Sequence, residues 1–271
     1  VTLTSFVIDT AAPTLSEDTV VSTPSNDTTP SVVISSNEAG TITSSLGFTS
    51  TTTGISGDNT ITFATLSAGT YTPTVTITDA SGNASTVTLT SFVIDTAAPT
   101  LSEDTVVSTP SNDTTPSVVI SSNEAGTITS SLAITSGDSG ISGDNTITFD
   151  TLSAGTYTPT VTFTDASGNE SIVTLTSFVI DDTAPVITTS SVESSIEEGD
   201  TALGSVSANE TVTWSLGGTD VDYVSISSDG TLTLNSEADY ETKISYSFTV
   251  TATDAVGNTT TISALVISVN D

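Results

Sequence analysis

The chain has 271 residues, of which 32 are acidic and one is basic, so its formal net charge at pH 7 is −31. This charge excludes nucleic acid as a partner, because phosphate binding requires Lys and Arg side chains. It argues against anionic membrane surfaces for the same reason. A chain this acidic repels itself unless something neutralises it, so small cations are the first partners to consider.

The chain contains no Cys, no His and no Met. Disulfides are therefore excluded, and the nucleophile–base pairs of most covalent enzymes are absent, which makes enzymatic activity the weakest class of function. An isopeptide crosslink would have to use Lys243, the single basic residue. No apolar run reaches 18 residues, so no membrane insertion is predicted. The chain starts with Val and shows no signal peptide, and we expect it to be an internal piece of a longer protein.

The sequence is dominated by an internal repeat of 86 residues. The opening segment VTLTSFVIDTAAP returns at 87–99, and residues 1–86 match residues 87–172 at 77 of 86 positions. A close copy, VTLTSFVIDDTAP, stands at 173–185, after which the sequence differs. Internal repeats of this kind indicate an array of similar domains.

The repeated segment closes a domain rather than opening one. TDAVGNTTTISALVISVND (253–271) parallels TDASGNASTVTLTSFVID (78–95), so VTLTSFVID is the last strand of a unit. We therefore predict four parts: a final strand of a preceding repeat plus linker (1–10), two repeats (11–96 and 97–182) and a different domain (183–271).

Short alternating segments such as Thr-Val-Thr-Ile-Thr (74–78), separated by turn signals, predict strands, and no helical periodicity is present. In the first repeat, we predict strands A to C and E to G, with a variable connection at 47–56. Pro73 and a slip of apolar parity between Leu89 and Phe92 predict an irregularity in strand F and a β-bulge in strand G. The predicted fold class is all-β, a tandem array of Greek-key β-sandwiches that form an elongated rod. The predicted strands are A (14–21), B (31–36), C (41–46), E (59–64), F (70–79) and G (84–94).

Acidic residues recur at three places in every unit: the linker, the B–C loop and the F–G turn. In a Greek-key sandwich, these loops lie at the end that the chain reaches from the preceding domain, so the three elements are expected to converge. Each F–G turn also carries an Asn. The candidate residues are Asp9, Glu38, Asp79 and Asn83; Asp95, Glu124, Asp165 and Asn169; and Asp181, Asp182, Glu210, Asp254 and Asn258.

Carboxylates, an amide oxygen and loop carbonyls are the ligands that Ca²⁺ prefers. Zinc and copper are implausible without His or Cys. Two other interpretations remain open, because Asp-x-x-Gly-Asn is good turn chemistry whatever it binds, and Glu38 can be a simple solvated charge. The threefold recurrence favours calcium.

The two repeats resemble the bacterial immunoglobulin-like repeats of large surface adhesins. The matching segments are DTAAP, SNDTTP, SNEAG, LSAGTY and TDASGN, and LSAGTY resembles the tyrosine corner of immunoglobulin-like sandwiches. The last unit is similar to a cadherin-type domain, through SIEEGDTALGSVSANE, DGTLTLNSEADYE, SYSFTVTATDAVGN and VND.

The cadherin resemblance implies Ca²⁺ coordination at both ends of the third unit. At the far end it would use Glu197, Glu241 and Asp271. DYE replaces the Asp-Arg-Glu type motif of vertebrate cadherins, and the B–C loop has one acid rather than a spaced pair, so one or two ions per junction are expected. The repeats contain no counterpart of the far-end Glu pair, and Asn26 and Asp27, with Asn112 and Asp113, near the A–B turn are only weak candidates for that place.

These features predict calcium-stiffened extension modules of a secreted or cell-surface bacterial adhesin. Adjacent repeats of the same chain would be the direct partners, and other domains would contact cell-surface or matrix ligands. The alternative is that the domains themselves bind a glycan, ice or a cell-surface ligand through Thr-x-Thr runs, although such runs are ordinary on exposed sheet faces. Trp214 is interpreted as a core residue rather than a sugar platform.

Overall fold

The computed structural model describes residues 7–189 and 191–271, which form 26 strands and one 3-10 turn, Val221–Tyr223. The predicted fold class is confirmed: the chain is a tandem array of β-sandwiches. Most of the predicted strand at 1–8 lies outside the described residues. Within them, no helix is long and apolar enough to cross a membrane.

The first repeat contains nine strands in three sheets. One sheet has the order β1-β2-β5, a second has the order β4-β3-β7-β8, and β6 pairs with β9. All pairs are antiparallel. The strands are β1 (Leu15–Thr19), β2 (Ser31–Ser36), β3 (Gly40–Ser44), β4 (Thr53–Gly54), β5 (Gly57–Thr62), β6 (Gly69–Tyr71), β7 (Thr74–Thr78), β8 (Ala84–Thr88) and β9 (Phe92–Ile94).

The second repeat has the same sheet order, as its sequence requires. Its sheets are β10-β11-β14 and β13-β12-β16-β17, with β15 paired to β18. The strands are β10 (Leu101–Thr105), β11 (Ser117–Ser122), β12 (Gly126–Ser130), β13 (Ser139–Gly140), β14 (Gly143–Thr148), β15 (Gly155–Tyr157), β16 (Thr160–Thr164), β17 (Glu170–Thr174) and β18 (Phe178–Ile180).

The third unit has two four-stranded sheets, ordered β19-β21-β24-β23 and β20-β26-β25-β22. Strand β20 runs parallel to β26, and this pairing brings the start of the unit beside its last residues. The strands are β19 (Ile187–Thr189), β20 (Ser195–Glu197), β21 (Ala202–Ala208), β22 (Thr213–Gly217), β23 (Val224–Ile226), β24 (Thr231–Leu234), β25 (Ser245–Thr253) and β26 (Thr259–Asn270).

Among the described residues, three separate hydrophobic cores lie between the sheets, and each draws its buried residues from one stretch: 21–94, 107–180 and 196–269. Val75 and Ile77 of β7 are fully buried, whereas the Thr residues that alternate with them are half-buried. Period-two alternation therefore selects the core face, as expected of strands with one buried face. Trp214 is partly buried against the third core, as predicted.

The irregularity predicted in strand F is present, whereas the β-bulge predicted in strand G is wrong, because that strand is broken in two. Strands β8 and β9 belong to different sheets, and residues 89–91 connect them. Glu17 Oε2 accepts hydrogen bonds from the backbone N–H and the hydroxyl of Thr90, both at 2.8 Å. A carboxylate from β1 thus replaces the ladder bonds that the break removes. Strand F is interrupted at Pro73, and the Tyr71 hydroxyl donates to the Ser67 carbonyl at 2.8 Å, which is the predicted tyrosine corner.

Candidate metal centre

Three groups of carboxylates lie where one unit joins the next, and we call them the junction clusters. In each, one oxygen from the linker, one from the B–C loop and one from the F–G turn lie within 4.8 Å of one another. The loops that the sequence expected to converge therefore do so. The junction clusters are Asp9–Glu38–Asp79, Asp95–Glu124–Asp165 and Asp181–Glu210–Asp254.

The F–G turn fixes its own Asp. Asp79 Oδ1 accepts hydrogen bonds from the backbone N–H groups of Ser81 and Asn83, both at 2.8 Å. The turn needs Gly82 at φ +92°, a conformation that favours glycine. The carboxylates of Asp165 and Asp254 accept the same kinds of backbone bond in their own turns.

The Asn of each F–G turn connects the turn to the linker. Asn83 Nδ2 donates to Asp79 Oδ2 at 2.8 Å and to the backbone carbonyl of Asp9 at 3.1 Å. Asn169 reaches the Asp95 carbonyl at 3.0 Å, and Asn258 reaches the Asp181 carbonyl at 2.8 Å. The Nδ2 atoms of these amides thus position the linker, and the role of their Oδ1 atoms as ligands stays a prediction.

The linker Asp is held by a turn of its own. Asp9 Oδ1 accepts the backbone N–H of Ala11 at 3.1 Å. Asp95 and Asp181 make the equivalent bonds at 3.0 and 3.2 Å, to Ala97 and Thr183. This turn uses one carboxylate oxygen, so the second oxygen is not needed for local structure. Asp182 is exposed and lies outside the junction clusters.

A further Asn, which sequence reasoning missed, anchors the strand that follows each linker. Asn37 Oδ1 accepts the Thr14 N–H at 2.6 Å, and Asn123 and Asn209 make the equivalent bonds at 2.6 and 2.7 Å. Each of these Asn residues immediately precedes the B–C loop Glu. Its recurrence before Glu38, Glu124 and Glu210 was the signal that could have found it.

Hydrogen bonding keeps the F–G turn carboxylates ionised. Burial raises the pKa of Asp165, but the hydrogen bonds from Asn169 and the turn amides outweigh it and hold the pKa below the ordinary 3.8. The same balance lowers the pKa of Asp254. For Asp79, the hydrogen bond from Asn83 is the largest cause of a lowered pKa. At neutral pH, these acids are therefore anionic and fixed in place.

A fourth acidic group, which we call the far-end cluster, lies at the opposite end of the third unit and contains Glu198, Glu241 and Asp271. The sequence predicted Glu197 in this place. The register of β20 on β26 pairs Glu197 with Asn270, whose Nδ2 donates to Glu197 Oε1 at 2.9 Å. Successive side chains of a strand point to opposite faces, so Glu198 rather than Glu197 joins Asp271.

The carboxylates of the far-end cluster oppose one another. The charge of Glu241 is the largest cause that raises the pKa of Glu198 above its ordinary 4.5, and Asp239 and Asp271 add to it. The single Lys does not relieve this repulsion, because Lys243 Nζ pairs with Asp220 at 2.8 Å. That hydrogen-bonded ion pair lowers the pKa of Asp220 and raises that of Lys243, which disfavours the neutral amine that an isopeptide bond requires.

The spacing of each cluster fits one calcium ion. Ca²⁺ binds oxygen at about 2.3–2.6 Å, so two ligands on opposite sides of one ion lie about 4.6–5.2 Å apart. Three oxygens within 4.8 Å of one another can therefore reach the same ion. Their chemistry, which is oxygen only, is that of a hard cation.

Threonine hydroxyls on the sheet faces bond to each other across strands. Thr76 and Thr86 are 2.7 Å apart at Oγ1, and Thr251 and Thr261 are 2.8 Å apart. These cross-strand pairs are a source of sheet stability.

Comparisons with known proteins give structural neighbours but no family. No protein-family model matches the chain, and no curated protein matches it. Similar solved structures include the protocadherin gammaB7 EC3-6 cis-dimer (18% identity, 95% of this chain and 73% of that chain, TM-score 0.36). A second is the protocadherin GammaB4 extracellular domain (19% identity, 96% of this chain and 49% of that chain, TM-score 0.38). A third is mouse cadherin-23 EC22-24 (16% identity, 96% of this chain and 99% of that chain, TM-score 0.30). Because these identities and TM-scores are low, the assignment of the fold rests on the strands and sheets described above.

Proposed function

We propose that these domains are calcium-stiffened extension modules of a secreted or cell-surface bacterial adhesin. In this role they space a distal ligand-binding region from the cell and catalyse no reaction. The observation that carries the proposal is the threefold recurrence of a linker–loop–turn carboxylate trio at the domain junctions. A trio that occurred once would be ordinary turn chemistry, but the same trio at every junction indicates a role for the junction itself.

A cation at a junction cluster would join parts of the chain that otherwise meet through few bonds. Asp95 belongs to the linker, whereas Glu124 and Asp165 belong to the domain that follows it. An ion bound to all three would fix the direction of the linker relative to that domain. Repeated along the chain, this bond would convert a series of domains into a stiff rod.

The net charge of −31 supports the same role. The junction acids have no basic partner among the described residues, since Lys243 is paired with Asp220. Ca²⁺ would lower the repulsion within each cluster and would bind only the folded arrangement. Extracellular modules bind Ca²⁺ with a Kd of roughly 10⁻⁴–10⁻³ M. At about twenty times Kd, one site stabilises the folded state by about 2 kcal/mol.

The test is small-angle scattering and thermal unfolding of the full chain, with 10 mM CaCl₂ or with EDTA after metal removal has been verified. We expect EDTA to lower the melting temperature and to increase the flexibility that the scattering reports. In the triple variant Glu38→Gln, Glu124→Gln, Glu210→Gln, calcium should have a much smaller effect on the melting temperature and on the flexibility.

A matched control removes the same number of charges elsewhere, with Asp58→Asn, Asp144→Asn and Asp222→Asn, three exposed positions outside the clusters. It should respond to calcium as the unmodified chain does. The proposal fails if the unmodified chain is equally stable and equally flexible with and without calcium.

A further inference from the structure

Repeat one touches repeat two through a second contact, which lies outside the junction clusters. The backbone N–H of Asn26, in the SNDTTP turn between β1 and β2, donates to the Ser167 carbonyl in the F–G turn of repeat two at 3.0 Å. The Asn26 side chain also lies over Gly168: a Cβ added at that glycine would be 3.3 Å from Asn26 Nδ2.

The SNDTTP turn is held firmly at the end of its own domain. Ser25 N–H donates to the Val93 carbonyl at 3.1 Å, and the Ser25 carbonyl accepts the N–H of Asp95 at 2.9 Å. Asp27 Oδ1 accepts the backbone N–H of Thr29 at 2.8 Å, which closes the turn. Asn26 therefore projects from a turn that is bonded to the linker residue Asp95 itself.

The two repeats provide an internal comparison, because their F–G turns have the same sequence, DASGN. Ser167 is 9% exposed, whereas the equivalent Ser81 is exposed. A Cβ at Gly82 would meet nothing within 4 Å. The difference between identical turns follows from the Asn26 turn, which covers one of them and not the other.

The junction with the third unit has only part of this contact. Asn112, the equivalent of Asn26, faces Gly257, where an added Cβ would be 3.7 Å from Asn112 Nδ2. Within the described residues, the backbone N–H of Asn112 has no partner equivalent to the Ser167 carbonyl. The third unit has Val256 in the place of that serine.

The third F–G turn also bonds differently within itself. Gly257 N–H donates to the Asp254 side chain at 2.8 Å, whereas Gly168 N–H donates to the Asp165 carbonyl at 3.2 Å.

We propose that the SNDTTP turn is a docking element for the F–G turn of a following repeat, and that it couples identical repeats directly, without a cation. Each repeat carries one SNDTTP turn and one DASGN turn, so repeats of this kind can be coupled in series. The third unit has no SNDTTP segment, and its F–G turn accepts only the side-chain contact. The coupling is therefore stronger between the two repeats than towards the third unit.

This coupling is independent of the proposed function, and EDTA separates the two. In EDTA, amide hydrogen exchange of the full chain, measured by NMR, compares Asn26 with Asn112, whose local sequences are both SNDTTP. One hydrogen bond contributes about 1 kcal/mol, so the Asn26 amide should exchange about five to ten times more slowly than the Asn112 amide. Equal exchange at the two amides would overturn the proposal.

A pair of variants separates the contact from backbone strain. Gly168→Ala places a methyl group against Asn26, whereas Gly82→Ala introduces the same strain with no neighbour, because φ is +90° at Gly168 and +92° at Gly82. We expect Gly168→Ala to remove the slow exchange at Asn26 and Gly82→Ala to leave it unchanged. Should both variants change it equally, or neither, the docking contact is not the cause of the slow exchange and the proposal is overturned.

Discussion

Asp165 in a junction cluster and Glu198 in the far-end cluster are both carboxylates beside two others, yet their surroundings are opposite. Asp165 accepts three hydrogen bonds from its own turn, and its pKa is lowered. Glu198 faces the charges of Glu241 and Asp271, and its pKa is raised. The F–G turn acid of a junction cluster is thus fixed by hydrogen bonds before any cation arrives, whereas the far-end carboxylates lie close together and repel one another until something neutralises them.

This difference predicts different consequences when an acid is removed. In a junction cluster, the F–G turn acid accepts hydrogen bonds that hold its own turn, so its loss leaves the N–H groups of that turn unpaired. In the far-end cluster, the loss of an acid relieves repulsion.

The largest effect is expected from Asp165→Ala, which removes the acceptor of three hydrogen bonds at a site that is 8% exposed. Unpaired buried donors are costly, so we expect repeat two to lose about 2 kcal/mol of stability. Amide exchange by NMR should then show about thirty-fold less protection at Phe163 and no change at Ile77, its counterpart in repeat one. Asp144→Ala, an exposed acid in the same repeat, is the control. Unchanged protection at Phe163 would show that the turn does not depend on its Asp.

An intermediate effect on stability is expected when the pH is raised and Glu198 in the far-end cluster loses its proton. Because the folded pKa of Glu198 is raised above the ordinary 4.5, the folded state binds this proton more tightly than the unfolded chain does. The contribution of this group to stability is therefore present below about pH 4.5 and is lost as pH rises through the raised pKa.

Glu241→Gln should remove most of this loss, so the variant should gain stability relative to the unmodified chain between pH 4 and pH 7 in EDTA. Thermal unfolding followed by the fluorescence of Trp214, the single Trp of the chain, reports on the third unit. Asp222→Asn, at an exposed position outside the cluster, should leave the pH profile unchanged. The same profile for Glu241→Gln and the unmodified chain would mean that these carboxylates do not interact.

The smallest effect is expected from Tyr157→Phe, because Tyr157 belongs to neither kind of cluster. The hydroxyl of Tyr157 donates to the Ser153 carbonyl at 2.9 Å, and its ring lies 5.7 Å from that of Phe178. The variant keeps the ring contact and loses one hydrogen bond, which contributes about 1 kcal/mol. Phe163 protection should fall about fivefold, and calcium affinity should not change. A change in calcium affinity would show that the corner and the cluster are coupled.

Much of the fold could be predicted from the sequence, because alternation of apolar and polar residues identifies strands and their buried faces. Ser31–Ser36 was predicted with the bounds that the structure gives. The convergence of Asp9, Glu38 and Asp79 followed from the connectivity of a Greek-key sandwich and needed no detailed geometry.

The parts that could not be predicted depend on register and on contacts between domains. Glu197 and Glu198 are adjacent and identical, and only the pairing of β20 with β26 decides which of them faces Asp271. Similarly, nothing in SNDTTP or DASGN taken alone indicates that Asn26 meets Ser167, since the contact joins two domains. The roles of Glu38 and its equivalents as ligands stay predictions, because spacing alone does not identify an ion.

The most direct test of the account is a calorimetric titration of the metal-free chain with CaCl₂, beside the variant Glu38→Gln, Glu124→Gln, Glu210→Gln. We expect saturable binding to the unmodified chain with a Kd of roughly 10⁻⁴–10⁻³ M. In the variant, the heat that belongs to the three junction clusters should be lost and any binding at the far-end cluster should remain. No saturable heat from the unmodified chain up to 10 mM calcium, or identical titrations of the two proteins, would contradict calcium binding at the junctions.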